Sequence, residues 1–453
     1  MHALNIDHLT LRRGSQTILR DVTLEISAGE RVAIVGPNGS GKTTLLRALA
    51  GLIQPTRGDI WIDGILKTPA NVGIKSRIGY VGHSPHLYPH LTAHENLLFL
   101  ARLFEIPDHR ERIAVTLDAI GLSAQADRLV REFSRGMQQR LALGAAMLHN
   151  PLVLLLDEPS TGLDTDGPTA LPAMLETLAP NAAVLLSTHD DQIAAELGSR
   201  IIPIREKKLV ASKKLQTKSS STPTTNPFRT SFRRSVTTLI AKDARLEWRT
   251  REQIPTLLIF TLLIALLFDM ALIAISNSDA GIVATGVLWT SVLLAATLSG
   301  TRLFAIEHER GTLDRLRLAP IDPSAIYVAK FTLMVIETLF IGIVQISFLS
   351  ALMRVPLLQG TTLGLVALAA SAISAVVTLQ SSLIVNARAR ELLLPLLAIP
   401  LTIPIMLASV GATLSILNIT PVAQQSQWMG LLGVSIAVFF TLGVLLYPHA
   451  ART

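Results

Sequence analysis

The stretch Gly36-Pro37-Asn38-Gly39-Ser40-Gly41-Lys42-Thr43-Thr44 holds residue types that bind phosphate. Its glycines let backbone N–H groups curl round an anion, and a helix opening at Lys42 would add its positive end. Lys42 is expected to reach the β- and γ-phosphates of a nucleotide, and Thr43 to ligate Mg2+. A glycine turn with a chance Lys-Thr is the bland alternative. The apolar strand pattern before the stretch and the helical pattern after it argue against that. A second element, Leu152-Val153-Leu154-Leu155-Leu156-Asp157-Glu158-Pro159, is an apolar strand ending in two carboxylates. Asp157 at the tip is expected to hold Mg2+ through water, and Glu158 to polarise the attacking water. Phosphoryl transfer needs positioning and charge stabilisation more than covalent help, and this pair suits it.

Residues 1–211 supply the scaffold for both elements and read as α/β. Ala3–Leu11 and Val22–Ile26 alternate like half-buried antiparallel strands. Arg31–Val35, Leu152–Leu156 and Ala183–Leu186 are continuous apolar runs, expected of buried parallel strands. Glu95–Leu103 and Gln138–Leu148 have helical spacing. The run Lys207–Asn226 is rich in Ser, Thr, Lys and Pro and cannot bury a core, so residues 212–231 are expected to form a flexible linker.

The remainder, 232–453, has a different composition. The chain of 453 residues is 49% hydrophobic and 16% charged, with a mean hydropathy of +0.46, but that average hides a split at about Ile254. Apolar stretches of the length a bilayer core requires run at 254–275, 281–299, 326–351, 361–385, 391–412 and 429–447. Ahead of them Phe232–Gln253 is amphipathic, with Trp248 among arginines, and is expected to lie in the membrane interface. Arg233, Arg234, Lys242, Arg245, Arg249 and Arg251 precede the first span. Arg302, Arg310, Arg315 and Arg317 follow the second, and Arg388 and Arg390 the fourth, whereas the opposite loops carry only Arg354. The positive-inside rule then puts both termini in the cytosol. The net charge of +7 flanks apolar runs, which suits a lipid bilayer with anionic headgroups as partner, with no nucleic acid. The absence of cysteine excludes disulfides, cysteine zinc sites, iron–sulfur clusters and a C-x-x-C-H haem attachment. The N-terminal segment has no apolar core of a signal peptide, so the first domain is expected to stay in the cytosol.

Three further elements follow in order. Phe133-Ser134-Arg135-Gly136-Met137-Gln138-Gln139-Arg140 precedes an apolar helix and resembles the signature of ABC ATPases, usually LSGGQ. Ser160-Thr161-Gly162-Leu163-Asp164 follows the acidic strand as the D-loop of that family does. Ser187-Thr188-His189 ends the next strand, where the family's switch histidine meets the γ-phosphate. With the P-loop and the Walker B strand, residues 1–211 resemble an ABC ATPase. The resemblance implies an α/β P-loop NTPase with antiparallel β and helical subdomains, fused here to an all-α six-helix transmembrane domain. It implies ATP and Mg2+ as cofactors and catalytic roles for Glu158, His189 and Lys42. It also implies nucleotide contacts from Gly36 through Thr44, Ser134, Gly136 and Asp164, and metal contacts from Thr43, Asp157 and His83. Because such sites form between the P-loop of one domain and the signature of another, it implies a homodimer through the ATPase domains. The sequence departs from the family in three places. His83 stands near the usual Q-loop glutamine, Arg135 and Met137 replace two signature residues, and no aromatic near Leu11–Gly14 can stack on adenine, which leaves Arg13 as a cation over the base.

Residues Arg302–Phe304 and Glu309–Lys330, with Leu394–Ile405, resemble the permease subunit of the cytochrome c maturation haem exporter, and His83 fits its ATPase partner. The whole chain thus resembles a fusion of CcmA-like and CcmB-like subunits in the cell (inner) membrane. The resemblance implies a haem-transporting ATPase, driving haem export or release of a haem-loaded chaperone, with haem-handling membrane partners. Efflux of a drug, lipid or polysaccharide, and a release motor that transports nothing, remain alternatives. Within the spans, Asp269 and Glu337 are expensive to bury and are candidates for function. Pro395, Pro400 and Pro404 form a gate or an accommodated kink. The histidines of this half, His308 and His449, fall at expected cytosolic positions, so none is placed to ligate haem within a span.

Overall fold

The computed structural model describes residues 2–68, 71–159, 167–189, 194–195, 200–205, 207–209, 230–272, 280–305, 307, 311–384 and 390–450. The chain forms two units, Met1–Thr238 with Arg310–Asp322, and Leu239–Glu309 with Pro323–Thr453.

The first unit begins with β1 (His2–Arg13) and β2 (Gln16–Ser27), whose alternating burial produces an antiparallel pair. The chain continues through β3 (Arg31–Val35), α1 (Lys42–Ala50), β4 (Arg57–Ile62), β5 (Ile65–Leu66) and β6 (Ile78–Val81). Helices α2 (Ala93–Leu103), α3 (His109–Ala119) and α4 (Arg135–Met147) follow, then β7 (Val153–Asp157), α5 (Gly167–Leu178), β8 (Ala183–Thr188), β9 (Arg200–Arg205) and β10 (Lys208–Leu209). One sheet has the order β2-β1-β4-β5 and is antiparallel; the other has the order β10-β9-β3-β8-β7-β6. In the second sheet β9, β3, β8, β7 and β6 run parallel. Every residue of β7 and β8 is buried, as the uninterrupted apolar runs require of strands covered on both faces. Helix α2 starts two residues later in the sequence reading, at Glu95; the structure starts it at Ala93 because Thr92 and Glu95 form a reciprocal capping box.

Among the described residues of the second unit, six helices are long and apolar enough to cross a membrane. They lie in α7 (Gln253–Leu272), α8 (Ala280–Leu303), α10 (Pro323–Leu352), α11 (Gly360–Ile384), α12 (Arg390–Ile416) and α13 (Gln425–Ala450), and ahead of them runs the amphipathic α6 (Phe232–Thr250). Gln253 opens α7, whereas the sequence reading made it the end of the amphipathic helix. Arg251 takes a left-handed φ of 49° that breaks the helix, and Glu247 accepts the N–H of Ile254 at 3.1 Å, capping the next. Trp289 on α8 is fully buried and donates to Thr413 on α12 at 2.9 Å. The backbone of α12 is helical through Pro395, Pro400 and Pro404, so the prolines sit in one unbroken helix, with Pro400 and Pro404 on an exposed face.

The segment between α8 and α10 contains a short helix, α9 (Thr312–Leu318), and groups with the N-terminal unit. Leu318 joins the apolar core of that unit, alongside Leu45, Leu49 and Tyr80.

Candidate active site

Parallel register brings the separate motifs to one edge. Val35 pairs with Thr188, Asp157 with Ser187, and Val81 with Leu156. The residues that follow these strand ends, Gly36, His189, Glu158 and Gly82, therefore lie along the carboxyl edge of the sheet, where open α/β sheets bind ligands.

From Val35 the chain turns through Gly36–Gly41 into α1. Gly41 has φ 102°, and a Cβ there would also meet Ile18 and Leu19 at 3.0 Å, so only glycine fits. The Lys42 side chain is buried and folds back over the loop, its Nζ donating to the carbonyls of Gly36 at 2.6 Å and Pro37 at 3.2 Å. Ser40 Oγ is buried without a hydrogen-bond partner. Thr43 is exposed and its Oγ1 donates to Asp157 Oδ1 at 3.1 Å. Thr44 is partly buried, and Pro37, Asn38 and Gly39 complete the loop, Gly39 with φ 81°.

Asp157 is 2% exposed and receives a second donor, Ser187 Oγ, at 2.6 Å. Glu158 adopts φ 49°, and its N–H is shared between Ser187 O at 3.1 Å and Ser187 Oγ at 3.2 Å. This turn points the Glu158 carboxylate towards His189, whose Nδ1 lies 3.3 Å from Glu158 Oε1. Ser187 thus ties the Asp157 carboxylate to the backbone of Glu158. Sequence reading quoted it within the histidine motif without giving it this task. Gln139 was also passed over; it is buried, and its Nε2 donates to Pro159 O at 3.5 Å.

His83 is exposed just beyond β6, beside the strand that ends in Asp157. Ser134 caps α4 by accepting Met137 N–H at 3.2 Å and stands exposed with Arg135, while Gly136 is buried. Arg13 is exposed at the end of β1. Asp164 and the rest of Ser160–Asp164 lie outside the described residues.

The donor set suits a nucleotide and Mg2+. The N-terminus of α1, the unpaired Ser40 hydroxyl and the Lys42 ammonium, held here on the loop's own carbonyls, are donors suited to an anion, and Thr43 with Asp157 offers hard oxygen ligands. Among the described residues no group of three His, Cys, Asp or Glu could hold a metal. Mg2+ commonly completes its shell with water and phosphate, which a Thr–Asp pair leaves room for.

The P-loop helix also reaches α9. Arg47 Nη2 lies 3.0 Å from Asp314 Oδ2. Arg315 is buried nearby with Nη2 unpaired, and a Cβ on Gly311 would sit 3.1 Å from His86. Burial, reinforced by the Arg315 guanidinium, pushes the His86 imidazole down to about 4. Nothing local in the sequence announced these contacts.

In the second unit Glu337 accepts from Gln253 Nε2 at 3.0 Å and Ser299 Oγ at 2.8 Å, at the level where α7 begins. Asp269 is half-buried near the end of α7. His449 is exposed on α13, and His308 lies outside the described residues.

Residues 19–161 match the family model of ABC transporters, and residues 234–453 match that of the CcmB protein. The uncharacterized ABC transporter ATP-binding protein YdbJ of Bacillus subtilis (strain 168) is 35% identical over 216 residues, 47% of this chain and 70% of that protein. The SkfA peptide export ATP-binding protein SkfE of the same organism is 36% identical over 192 residues, 42% of this chain and 80% of that protein. A solved ATP-binding subunit of an ABC transporter is 30% identical with a TM-score of 0.44, covering 47% of this chain and 90% of that one.

Proposed function

From the premise that the chain belongs to the ABC transporters, and joins an ATP-binding domain to a CcmB domain in one polypeptide, we propose that it spends ATP on haem export, or on releasing a haem-loaded chaperone, in cytochrome c biogenesis. The observation that carries the cargo is the CcmB match over residues 234–453. Relatives of the ATPase half carry names with diverse cargoes and do not decide between them.

The chemistry follows from the carboxyl edge of the sheet. Lys42 leaves its loop carbonyls to meet the β- and γ-phosphates, and the N–H groups of Gly39–Thr44 enclose them. Thr43 and, through water, Asp157 hold Mg2+, with His83 as a further contact at the next strand end. That ion, when bound, screens the charge that develops on the phosphates. Glu158 orients the attacking water, and His189 beside it contacts the γ-phosphate. Ser134 and Gly136 of a second copy close over the nucleotide, with Asp164 at the dimer seam. Arg13 lies over the adenine. Closure of the dimer moves α9 through the Arg47–Asp314 pair, and so reaches the spans on either side of it. Both termini and the ATPase face the cytosol in this reading. Among the described spans the one histidine is His449, in the last turn of α13, and in this reading a separate haem-handling membrane protein holds the cargo.

Cells carrying Glu158→Gln should lose covalent c-type cytochromes while making b-type haem proteins normally. Normal c-type cytochromes with altered drug sensitivity would instead support efflux. Absence of substrate-stimulated flux through the native chain in proteoliposomes, with ATP-dependent partner release that is lost in Glu158→Gln, would support the motor.

A further inference from the structure

In the second unit four charged side chains close into a ring. Lys242 and Asp243 come from α6, Glu307 follows α8, and Lys330 lies near the start of α10. Lys242 Nζ is 2.6 Å from Asp243 Oδ1 and 2.9 Å from Glu307 Oε1; Lys330 Nζ is 2.7 Å from Glu307 Oε1 and 3.1 Å from Asp243 Oδ2. Each ammonium therefore touches both carboxylates. The Lys242 and Glu307 side chains are 2% exposed. Burial raises the Glu307 carboxyl, but the ammonium groups of Lys330 and Lys242 outweigh it and hold it below the usual carboxylate range. Lys330 also stands over the Phe304 ring at 6.0 Å.

Such a ring adds little net stability, because desolvating four ions consumes most of their attraction. What it supplies is geometry. Relative movement of α6, the end of α8 and the start of α10 would break these buried ion pairs. Its place in the chain gives that geometry a use. Glu307 and Lys330 flank the segment Arg310–Asp322, which groups with the ATPase unit and pairs with the P-loop helix through Asp314. Both roots of the segment are thus tied to each other and to α6.

We propose that Lys242, Asp243, Glu307 and Lys330 form a latch that makes α6, the end of α8 and the start of α10 move as one body. A displacement of the α9 segment then reaches the membrane helices and is not absorbed by bending at the roots. These are positioning residues, in contact with neither nucleotide nor cargo. The inference rests on the ATP-driven transporter reading.

Two charge-balanced variants test it in the full chain. Lys242→Gln/Asp243→Asn keeps the Glu307–Lys330 pair and frees α6. Glu307→Gln/Lys330→Gln keeps the Lys242–Asp243 pair and frees both roots. The chain has no cysteine, so a single cysteine at exposed Gln424, between α12 and α13, reports movement by its rate of maleimide labelling in proteoliposomes with and without MgATP. The latch predicts that ATPase activity stays within about threefold of native while the nucleotide-dependent change in labelling falls about fivefold or more, the low end of coupling between sites. If the labelling response survives in both variants, the latch is wrong. If ATPase and response fall together, or neither variant folds, the ring is a structural prop and the latch is equally wrong. A native chain with no response to MgATP would overturn the transporter reading, and the latch with it.

Discussion

Replacing Ser187 with alanine removes one hydroxyl and leaves the fold of β8 alone. In the native chain that hydroxyl donates to the Asp157 carboxylate at 2.6 Å, and the Glu158 N–H reaches it at 3.2 Å. The N–H keeps its other acceptor, Ser187 O at 3.1 Å, so the loss falls mainly on Asp157. A hydrogen bond to a charged group contributes about 1.5–3 kcal/mol. Asp157 is 2% exposed, so water cannot replace the donor easily. If the loss is felt where the carboxylates are positioned for the transition state, about 2 kcal/mol corresponds to a fall in kcat of about 30-fold. Lys42 and the glycine loop are untouched, so KM for ATP should move by less than about threefold, the pattern of an interaction realised mainly in the transition state. Steady-state ATPase assays over a range of MgATP separate the two constants. A kcat within twofold of native would show that Ser187 does not position the pair. An equal fall in affinity would place its role in binding.

Glu158→Gln should abolish turnover while ATP binding persists and the dimer is trapped, whereas Lys42→Ala should weaken nucleotide binding itself; filter binding beside ATPase assays distinguishes them, and two variants that both bind normally would undo this division of labour. Single cysteines at Ser278 and Gln424 should react with an impermeant thiol reagent from outside intact cells and one at Ala389 only after the membrane is opened; labelling of position 389 from outside would overturn the charge argument for six spans. Folding lowers the His86 imidazole from 6.5 to about 4, so the unfolded chain binds the extra proton between those values. Stability is complete above the unfolded value and is lost as pH falls through the window, by at most about 3 kcal/mol. Urea unfolding of the detergent-solubilised chain should show the loss between pH 6.5 and 4, and His86→Gln should reduce it; an unchanged pH slope in that variant would assign the effect elsewhere, with buried His149, also lowered by burial, the next group to replace.

The P-loop and the acidic strand were legible because each is contiguous and each carries its own context, strand before and helix after. The central strands were legible for a related reason: burial on both faces leaves no polar position to blur the run. Ser187 was different. Its contact with Asp157 depends on the register of β7 against β8, which joins residues far apart in sequence and leaves no local pattern. The same limit hid α9. Leu313, Leu316 and Leu318 are buried, but their spacing says that a short helix has an apolar side and not which surface that side meets. Lys242 shows a further limit. Counting charges gave it a place in the positive-inside pattern, yet its side chain is 2% exposed, paired with Asp243 and Glu307. Charge type predicts topology without predicting packing. The helical spans were found to within a few residues, and their ends moved where a cap or a left-handed residue such as Arg251 decided the boundary.

Sequence order and spatial grouping do not coincide in this chain. A fragment cut at residue 211, the natural place to excise a soluble enzyme, would discard Leu313, Leu316 and Leu318, and with Leu318 a member of the N-terminal core. Such a fragment would carry a bare apolar seat and should be prone to self-association. It would also leave Arg47 without Asp314. The same holds for grafting: an ATPase moved onto another permease would need Arg310–Asp322 to travel with it, or a segment of matching shape already present in the new host. Substitutions in Arg310–Asp322 therefore fall inside the ATPase unit although they lie within the sequence of the CcmB match.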